Sequence, residues 1–237
     1  LSQFPEQLAA RHAVVERGQA LVGGINLRYR QLDQIRTMLD QEVGGAVTRI
    51  NEITSEIAEL NEEIVKVKAA GDNPNDWMDR RDLLVNQLGT IIDITVDRRD
   101  PDEFSIYTSG FHVVQGRIAR PFETVAEPEN EGLRQVVWAH SGQEARFRGG
   151  RLSALLELRD VDVREEIQKL DNMTINFVDL VNEIHREGYG INDRTGLDFF
   201  QEYPSVNNAL GNYDTDGDGQ FDTTYLFRMT GANELDP

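Results

Sequence analysis

The sequence contains no cysteine, which excludes disulfide bonds, thiolate metal ligands and a cysteine nucleophile. It is also poor in positive charge, because 24 Lys and Arg residues stand against 42 Asp and Glu and leave a net charge of -18. Such a chain repels the phosphates of nucleic acid and anionic membrane surfaces, so neither is expected as a partner. No apolar run approaches the ~20 residues that span a bilayer, and no signal-peptide pattern opens the chain. Still, 39% of the 237 residues are apolar, which is enough to bury a core.

Apolar residues recur at alternating spacings of three and four from Leu8 to Val67, and this predicts a long helix with one apolar stripe. Every stripe position from Val43 onward is apolar, while charged residues occupy the opposite face. The glycine pairs Gly23-Gly24 and Gly44-Gly45 weaken a helix, so we expect a kink or break at one of them, preferably the first. The stripe positions are Leu8, Arg11, Val15, Gly18, Val22, Ile25, Tyr29, Leu32, Arg36, Leu39, Val43, Ala46, Ile50, Ile53, Ile57, Leu60, Ile64 and Val67.

A helix stop is followed directly by a helix start. Gly71 can end the first helix and Asn73 can cap the next one. Pro74 suits a first helical position, and Asp76 favours the positive end of the helix dipole. The second arm, from Trp77 to Ile92, carries its apolar residues, including Trp77, on one side. A helical hairpin is therefore predicted.

Alternation begins at Ile94 and predicts short antiparallel strands separated by turns. Gly149-Gly150 introduces another helical run, which ends near Gly188 and returns to the bundle. We predict an α+β fold class: an elongated helical bundle with long coiled-coil-like helices, an inserted antiparallel β region and the start of a second, less helical domain. The expected segments are the hairpin at 1–92, the strands at 93–148, the returning helix at 149–188 and the second domain at 189–237.

Several sequence blocks occur together in a specific order. They are VTRINEI from Val47, NPNDWMDRRDLLV from Asn73, GGRLSALLELRD from Gly149, VNEIHREGYG from Val181 and TGLDFF from Thr195. In this order and spacing the chain resembles the flagellar hook-associated protein 1 family over about residues 1 to 200. Proteins of this family join the flagellar hook to the filament.

The resemblance implies a non-enzymatic, structural protein of the bacterial flagellum. It implies four kinds of partner: the hook protein, the next hook-associated or junction proteins, an export chaperone, and further copies of the protein in a ring. It also implies a location outside the cell after export through the flagellar secretion channel without a cleaved signal peptide. The terminal helices of the family are missing from this chain, so we interpret the sequence as the central portion of a longer protein.

An acidic loop near the end of the chain has the spacing of a calcium site. Oxygen ligands stand at alternate positions and a glycine stands at the sixth, where the backbone must turn sharply. Tyr225 replaces the usual bidentate Glu, so weak Ca²⁺ binding is expected. A solvated acidic turn without a cation is the alternative. The candidate ligands are Asp214, Asp216, Asp218, Gln220 and Asp222.

Other candidate sites are weaker. The histidines fall in separate predicted elements, which disfavours a zinc site: His12, His112, His140 and His185. The run Asp79-Arg80-Arg81-Asp82 interleaves both signs of charge, as solvated helix faces commonly do, and we interpret it as ion pairing between helices or subunits. Two other functions remain open: a calcium-dependent extracellular adhesin with a helical stalk, and a hydrolase, for which no nucleophile and base arrangement is found.

Overall fold

The computed structural model describes residues 7–98, 104–190 and 193–200, together with two short strands at 228–230 and 234–236. The predicted α+β fold class is confirmed. Within the described residues, none of the helices is both long and apolar enough to cross a membrane. In chain order the elements are α1 (Leu8–Ala69), α2 (Asn75–Ile91), β1 (Thr95–Asp97), β2 (Ser105–Thr108), β3 (Phe111–Gln115), β4 (Ile118–Ala119), β5 (Phe122–Ala126), a 3-10 turn (Pro128–Asn130), β6 (Arg134–Trp138), α3 (Gly150–Glu157), a π turn (Leu158–Asp162), α4 (Val163–Glu187), β7 (Arg228–Thr230) and β8 (Glu234–Asp236).

The chain divides into two compact units. The central unit is Ile35–Asp162, and the terminal unit combines Leu1–Gln34 with Val163–Pro237. Helix α1 contributes its first part to the terminal unit and the remainder to the central unit.

The central unit is built on the apolar stripe of α1. Stripe residues from Val43 to Ile64 are buried, as the heptad spacing predicts. The buried face is wider than the stripe, because Val47, Thr54 and Ala58 beside it are buried as well. One hydrophobic cluster explains this width, since it joins α1 to α2, to the strands and to α3 through Leu84, Leu88, Ile106, Val113, Trp138 and Leu152.

Helix α1 continues through both glycine pairs, so the expected break is wrong. Each glycine costs about 1 kcal/mol relative to alanine. That cost is small for a helix of 62 residues, because the turns on either side of each pair remain hydrogen-bonded. At Gly44 the absent side chain also leaves room for Arg134, whose Nε would lie 3.3 Å from a Cβ at this position.

The turn between α1 and α2 depends on Gly71, which has a φ of +85°. Its N–H donates to the carbonyl of Lys68 at 3.0 Å, and the N–H of Asp72 donates to the carbonyl of Val67 at 3.1 Å. This pair of bonds is the Schellman pattern, which satisfies carbonyls at a helix end and favours glycine in the left-handed position. The predicted helix stop is therefore confirmed.

Helix α2 begins one residue later than expected. Pro74 occupies the N-cap position and its carbonyl already accepts the N–H of Met78 at 3.0 Å, so the predicted cap by Asn73 is wrong. Asp76 lies in the first turn, as predicted. Trp77, predicted on the apolar side of this helix, is 39% exposed. The reason is its position, because the first buried residue of α2 is Arg81, one turn further on.

The strands form two antiparallel sheets in the central unit. The first has the order β1-β2-β3-β4, and the second is the hairpin β5-β6. A β-bulge interrupts the pairing of β2 with β3 between Ile106 and Tyr107. The side chain of Asn51 fixes the hairpin to α1, because its amide accepts the N–H of Phe122 at 2.9 Å and donates to the carbonyl of the same residue at 2.8 Å. The Phe122 ring lies 4.3 Å from that of Trp138.

Candidate functional site

The terminal unit leaves much of its apolar surface uncovered. On the first part of α1 the stripe is only half buried, at Gly18, Ile25 and Leu32. The alternate stripe positions are between 42% and 64% exposed; they are Leu8, Val15, Val22 and Tyr29. Contiguous apolar surface of this kind marks an interaction site in proteins.

Helix α4 shows the same imbalance. Its only buried residue is Asn182, although its apolar residues lie on one face at helical spacing. Large apolar side chains on this face remain exposed; they are Met173, Phe177, Leu180 and Ile184. The two helices of the terminal unit therefore carry more apolar surface than they cover.

Residues 193–200 form a segment that lies on α4, and we name this segment the strap. Asn182 holds one end of it: the amide oxygen accepts the N–H groups of Phe199 and Phe200 at 3.0 and 2.8 Å, and the amide nitrogen donates to the carbonyl of Phe200 at 2.9 Å. Burying an amide costs desolvation free energy, and hydrogen bonds to partners such as these offset that cost. Asn182 is thus a specific anchor for the strap.

The other end of the strap is bound to the last turn of α4. The carbonyl of Arg186 accepts the Thr195 hydroxyl at 2.8 Å and the Gly196 N–H at 3.0 Å, which satisfies a carbonyl that the helix leaves open. The guanidinium of Arg186 pairs with Asp198 at 2.5 Å. On α1, a Cβ at Gly18 would lie 2.9 Å from the Phe199 ring, so glycine permits this close approach.

A groove of about 630 Å³ lies beside the strap. Its lining includes the apolar residues Val14, Val181, Ile184 and Leu197, together with Arg11, His185 and Arg194. No acidic residue lines it among the described residues, although the chain as a whole carries a net charge of -18. The groove can accept apolar side chains of another segment, and its basic groups favour acidic residues beside them.

The central unit contains an ionic cluster around three buried side chains, Arg36, Asp40 and Arg159, and we name it the Asp40 cluster. Asp40 on α1 accepts the backbone N–H of Arg134 at 2.7 Å and the Nη1 of Arg159 at 2.8 Å, and it also pairs with the Arg134 guanidinium. The cluster therefore connects α1, β6 and the π turn. Its members are Arg36, Asp40, Asn130, Glu131, Arg134, Arg159 and Asp160.

Charges within the Asp40 cluster balance one another. Burial alone raises the pKa of Asp160, but hydrogen bonds from Arg159 and Asn130 and the positive charges of Arg159 and Arg36 outweigh burial, so this pKa lies below its ordinary value. Burial alone would lower the pKa of Arg159. The hydrogen bonds to Asp160 and Asp40 and the negative charges of these residues outweigh burial, so this pKa lies above its ordinary value. Both groups are therefore held in their charged forms.

Sequence reasoning did not find the Asp40 cluster, but one signal for it was present. Arg36 interrupts the apolar stripe, and the structure buries it there. Its Nη2 donates to Asn130 at 2.5 Å and its Nη1 pairs with Glu131 at 2.9 Å. Its Nε is buried without a hydrogen-bond partner among the described residues. A charged residue at a stripe position thus marks a polar contact across the core.

The two arginines of the charged run on α2, Arg80 and Arg81, lie in different environments. The predicted pairing between helices is confirmed for Arg80, whose Nε donates to Glu56 of α1 at 2.9 Å. The predicted solvated face is wrong for Arg81, which is buried with its guanidinium 3.9 Å from the centre of the Phe104 ring. Burial, aided by the positive charge of Arg98, lowers the pKa of Arg81. The ring explains the burial, because a cation over an aromatic face is stabilised.

The predicted calcium ligands lie outside the described residues, so their arrangement stays a prediction; they are Asp214, Asp216, Asp218, Gln220 and Asp222. Across the ranges that the structure describes, no three His, Asp or Glu side chains converge as a metal site. His185 instead lies against the strap, with its Nδ1 2.6 Å from the carbonyl oxygen of Leu197.

Comparison with known proteins gives consistent results. Residues 1–200 match the family model of the "flagellar hook-associated protein FlgK helical domain". The chain is 29% identical over 218 residues to flagellar hook-associated protein 1 of Salmonella typhimurium, a match that covers 86% of this chain and 39% of the relative. It is 26% identical over 232 residues to the protein of the same name from Bacillus subtilis, covering 84% of this chain and 45% of the relative.

A solved structure has the same fold. The flagellar hook junction protein FlgK from Burkholderia pseudomallei superposes with a TM-score of 0.75 at 23% sequence identity, over 83% of this chain and 38% of that chain. The chain spans less than half the length of each of these relatives.

Proposed function

This chain belongs to the family of the flagellar hook-associated protein FlgK helical domain, and from that premise we propose that it is a structural component of the bacterial flagellum at the junction between hook and filament. Two kinds of likeness support the proposal. The relatives from Salmonella typhimurium and Bacillus subtilis are hook-associated proteins, and the structural neighbour from Burkholderia pseudomallei is a hook junction protein. The adhesin alternative gains no support from these relatives.

The observation that carries the proposal is the uncovered apolar surface of the terminal unit. Leu8, Val15 and Val22 on α1, and Leu180 and Ile184 on α4, are each more than 40% exposed. Burial of apolar surface is worth about 25 cal/mol per Å², so covering these side chains supplies a driving force for assembly. This force must overcome the mutual repulsion of chains that carry a net charge of -18. We infer that helical segments of flagellar proteins cover this surface in the assembled junction.

The proposal includes the following partners and location. The chain contacts the hook protein and the next hook-associated or junction proteins, and it associates with further copies of itself in a ring. Before assembly an export chaperone binds the protein, which leaves the cell through the flagellar secretion channel without a cleaved signal peptide. Its working location is then outside the cell.

We further propose that the role is structural and not catalytic. The charged groups of the Asp40 cluster are paired with one another and do not line the apolar groove. The groove is lined mainly by apolar residues, and no Asp or Glu lines it among the described residues. Such a surface suits binding of another helix, since general acid and base catalysis needs a positioned pair with matched pKa values.

Gene deletion in the bacterium that encodes the chain tests this function. We expect cells that retain the hook, lack the filament and release flagellin into the medium. The intact gene should restore filaments, whereas a gene carrying Leu180→Asp and Ile184→Asp should not, because two charges then occupy the apolar face. Glu183→Gln on the same helix is the matched control and should restore filaments. Normal filaments after the deletion would contradict the proposal.

A further inference from the structure

The π turn reverses the usual distribution of polar and apolar residues. Arg159 is 1% exposed, whereas Leu158 and Val161 in the same turn are 43% and 46% exposed. Placing a charged side chain inside while two apolar side chains face water costs free energy in both places. A specific interaction must therefore hold this turn in its observed register.

The Asp40 cluster supplies that interaction. Nη1 of Arg159 donates to Asp40 and to the carbonyl of Arg134, each at 2.8 Å. Nε and Nη2 of Arg159 bind the two carboxylate oxygens of Asp160 at 2.8 and 2.7 Å. The planar fork of the guanidinium is thus engaged on two sides, a geometry that lysine cannot reproduce.

The pairing of Arg159 with Asp160 depends on the π turn. Neighbouring residues on an α-helix do not face each other, so a regular α turn at 158–162 would separate this pair. In the observed π turn the two side chains form this pair, and Asp160 also accepts the Asn130 amide at 2.9 Å. The backbone register and the ionic contacts are therefore coupled.

Buried ion pairs contribute little net stability compared with apolar residues of similar size, because desolvation offsets their attraction. The best-attested use of buried polar groups is selection of one register. The Asp40 cluster fits this role, since it leaves the Nε of Arg36 without a partner among the described residues and so is not arranged for greatest stability.

We propose that the Asp40 carboxylate is a register lock, which holds residues 158–162 in the π turn through Arg159. Without its charge, Arg159 has no ion pair with α1 among the described residues, and the turn rearranges to an α register that withdraws Arg159 from the core. The lock is a property of the central unit and is independent of the proposed role at the junction.

Amide hydrogen exchange measured by NMR on residues 1–237 tests the lock. The first variant is Asp40→Asn, which removes the charge but keeps the oxygen that accepts both the N–H of Arg134 and Nη1 of Arg159. Losing one partner of a buried pair should speed exchange of the amides at 158–163 on the order of 100-fold. Glu42→Gln is the matched control, because Glu42 joins α1 to Arg151 of α3 through an exposed pair. It should leave these amides unchanged.

A second variant, Arg159→Met, separates loss of the lock from loss of the fold. Methionine carries no charge, so nothing then holds the turn in the π register. At residues 158–162 the contacts between backbone protons should therefore show the sequence spacing of an α-helix instead of that of a π-helix. If Asp40→Asn unfolds the central unit, the amides of Ile57 and Leu88 also lose protection from exchange. In that case the result for Arg159→Met decides whether the lock exists. Retention of the π spacing in Arg159→Met, or equal loosening in Glu42→Gln, would overturn the proposal.

Discussion

The connection between the strands and α3 provides a sharp test of the fold. Gly150 begins α3 with a φ of +83°, in the left-handed region that residues with a Cβ rarely adopt. A Cβ at this position would lie 2.6 Å from the carbonyl oxygen of Ile91 and 2.8 Å from the Cα of Ile92. Both contacts are backbone atoms, which cannot rotate away as a flexible side chain can. Replacing Gly150 by alanine must therefore strain the chain where α3 meets the end of α2.

The expected magnitude has two parts. The left-handed conformation costs about 1–2 kcal/mol for a residue with a Cβ. Moving backbone to relieve the contact with Ile91 costs a further ~1–3 kcal/mol, as in other overpacked cores. Gly150→Ala should therefore lower the free energy of unfolding by about 2–5 kcal/mol. Gly149 is extended, with a φ of -172°, and its nearest neighbour would be the Asp93 Cβ at 3.7 Å. Gly149→Ala should consequently stay within ~0.5 kcal/mol of the parent.

Urea unfolding followed by tryptophan fluorescence, to which the buried Trp138 contributes, measures both variants. With a slope of about 2 kcal/mol per M, Gly150→Ala should move the midpoint about 1–2.5 M lower, while Gly149→Ala should leave it nearly unchanged. A Gly150→Ala variant as stable as the parent would refute the reasoning. Equal destabilisation by the two alanines would also refute it, because the contact with Ile91 is specific to Gly150.

Three further predictions concern the core, a titrating side chain and the acidic loop. Leu88→Ala on α2 should cost about 2–5 kcal/mol in urea unfolding, because Leu88 is fully buried, whereas the exposed Leu83→Ala on the same helix should cost far less. Burial raises the pKa of Asp171, so this group favours folding below the unfolded pKa of about 3.9 and loses that contribution as pH rises through the folded pKa. Asp171→Asn should therefore be more stable than the parent at pH 7 and equal to it near pH 3 in pH-dependent unfolding; a constant difference would contradict this reasoning. Calorimetry should detect weak Ca²⁺ binding by the loop at 214–222 that is lost in Asp216→Asn with Asp218→Asn, and absence of heat in the parent would remove the calcium hypothesis.

The parts of the fold that could be predicted depend on local patterns. Heptad spacing identified the buried face of α1 from Val43 to Ile64, because burial of one helix face requires that spacing. Gly71 was identified as a helix end, because a left-handed residue is required there. The break predicted at Gly23-Gly24 is absent from α1. The free-energy cost of these glycines is small compared with the stability of the whole helix, so it does not interrupt the helix locally.

The remaining features depend on contacts between distant residues. Asp40 and Arg159 are 119 positions apart, and nothing in the residues around either one indicates that they meet. The π turn follows from this contact, so the sequence predicted one returning helix where the structure has α3, the π turn and α4. Arg81 was expected on a solvated face, because the Phe104 ring that covers it lies far along the chain, directly before β2.

Electron microscopy of isolated flagella with a gold-labelled antibody against residues 1–237 tests the proposed location most directly. We expect label confined to the far end of the hook, where the filament begins. Label along the whole filament, or on the cell surface away from the flagellum, would contradict it.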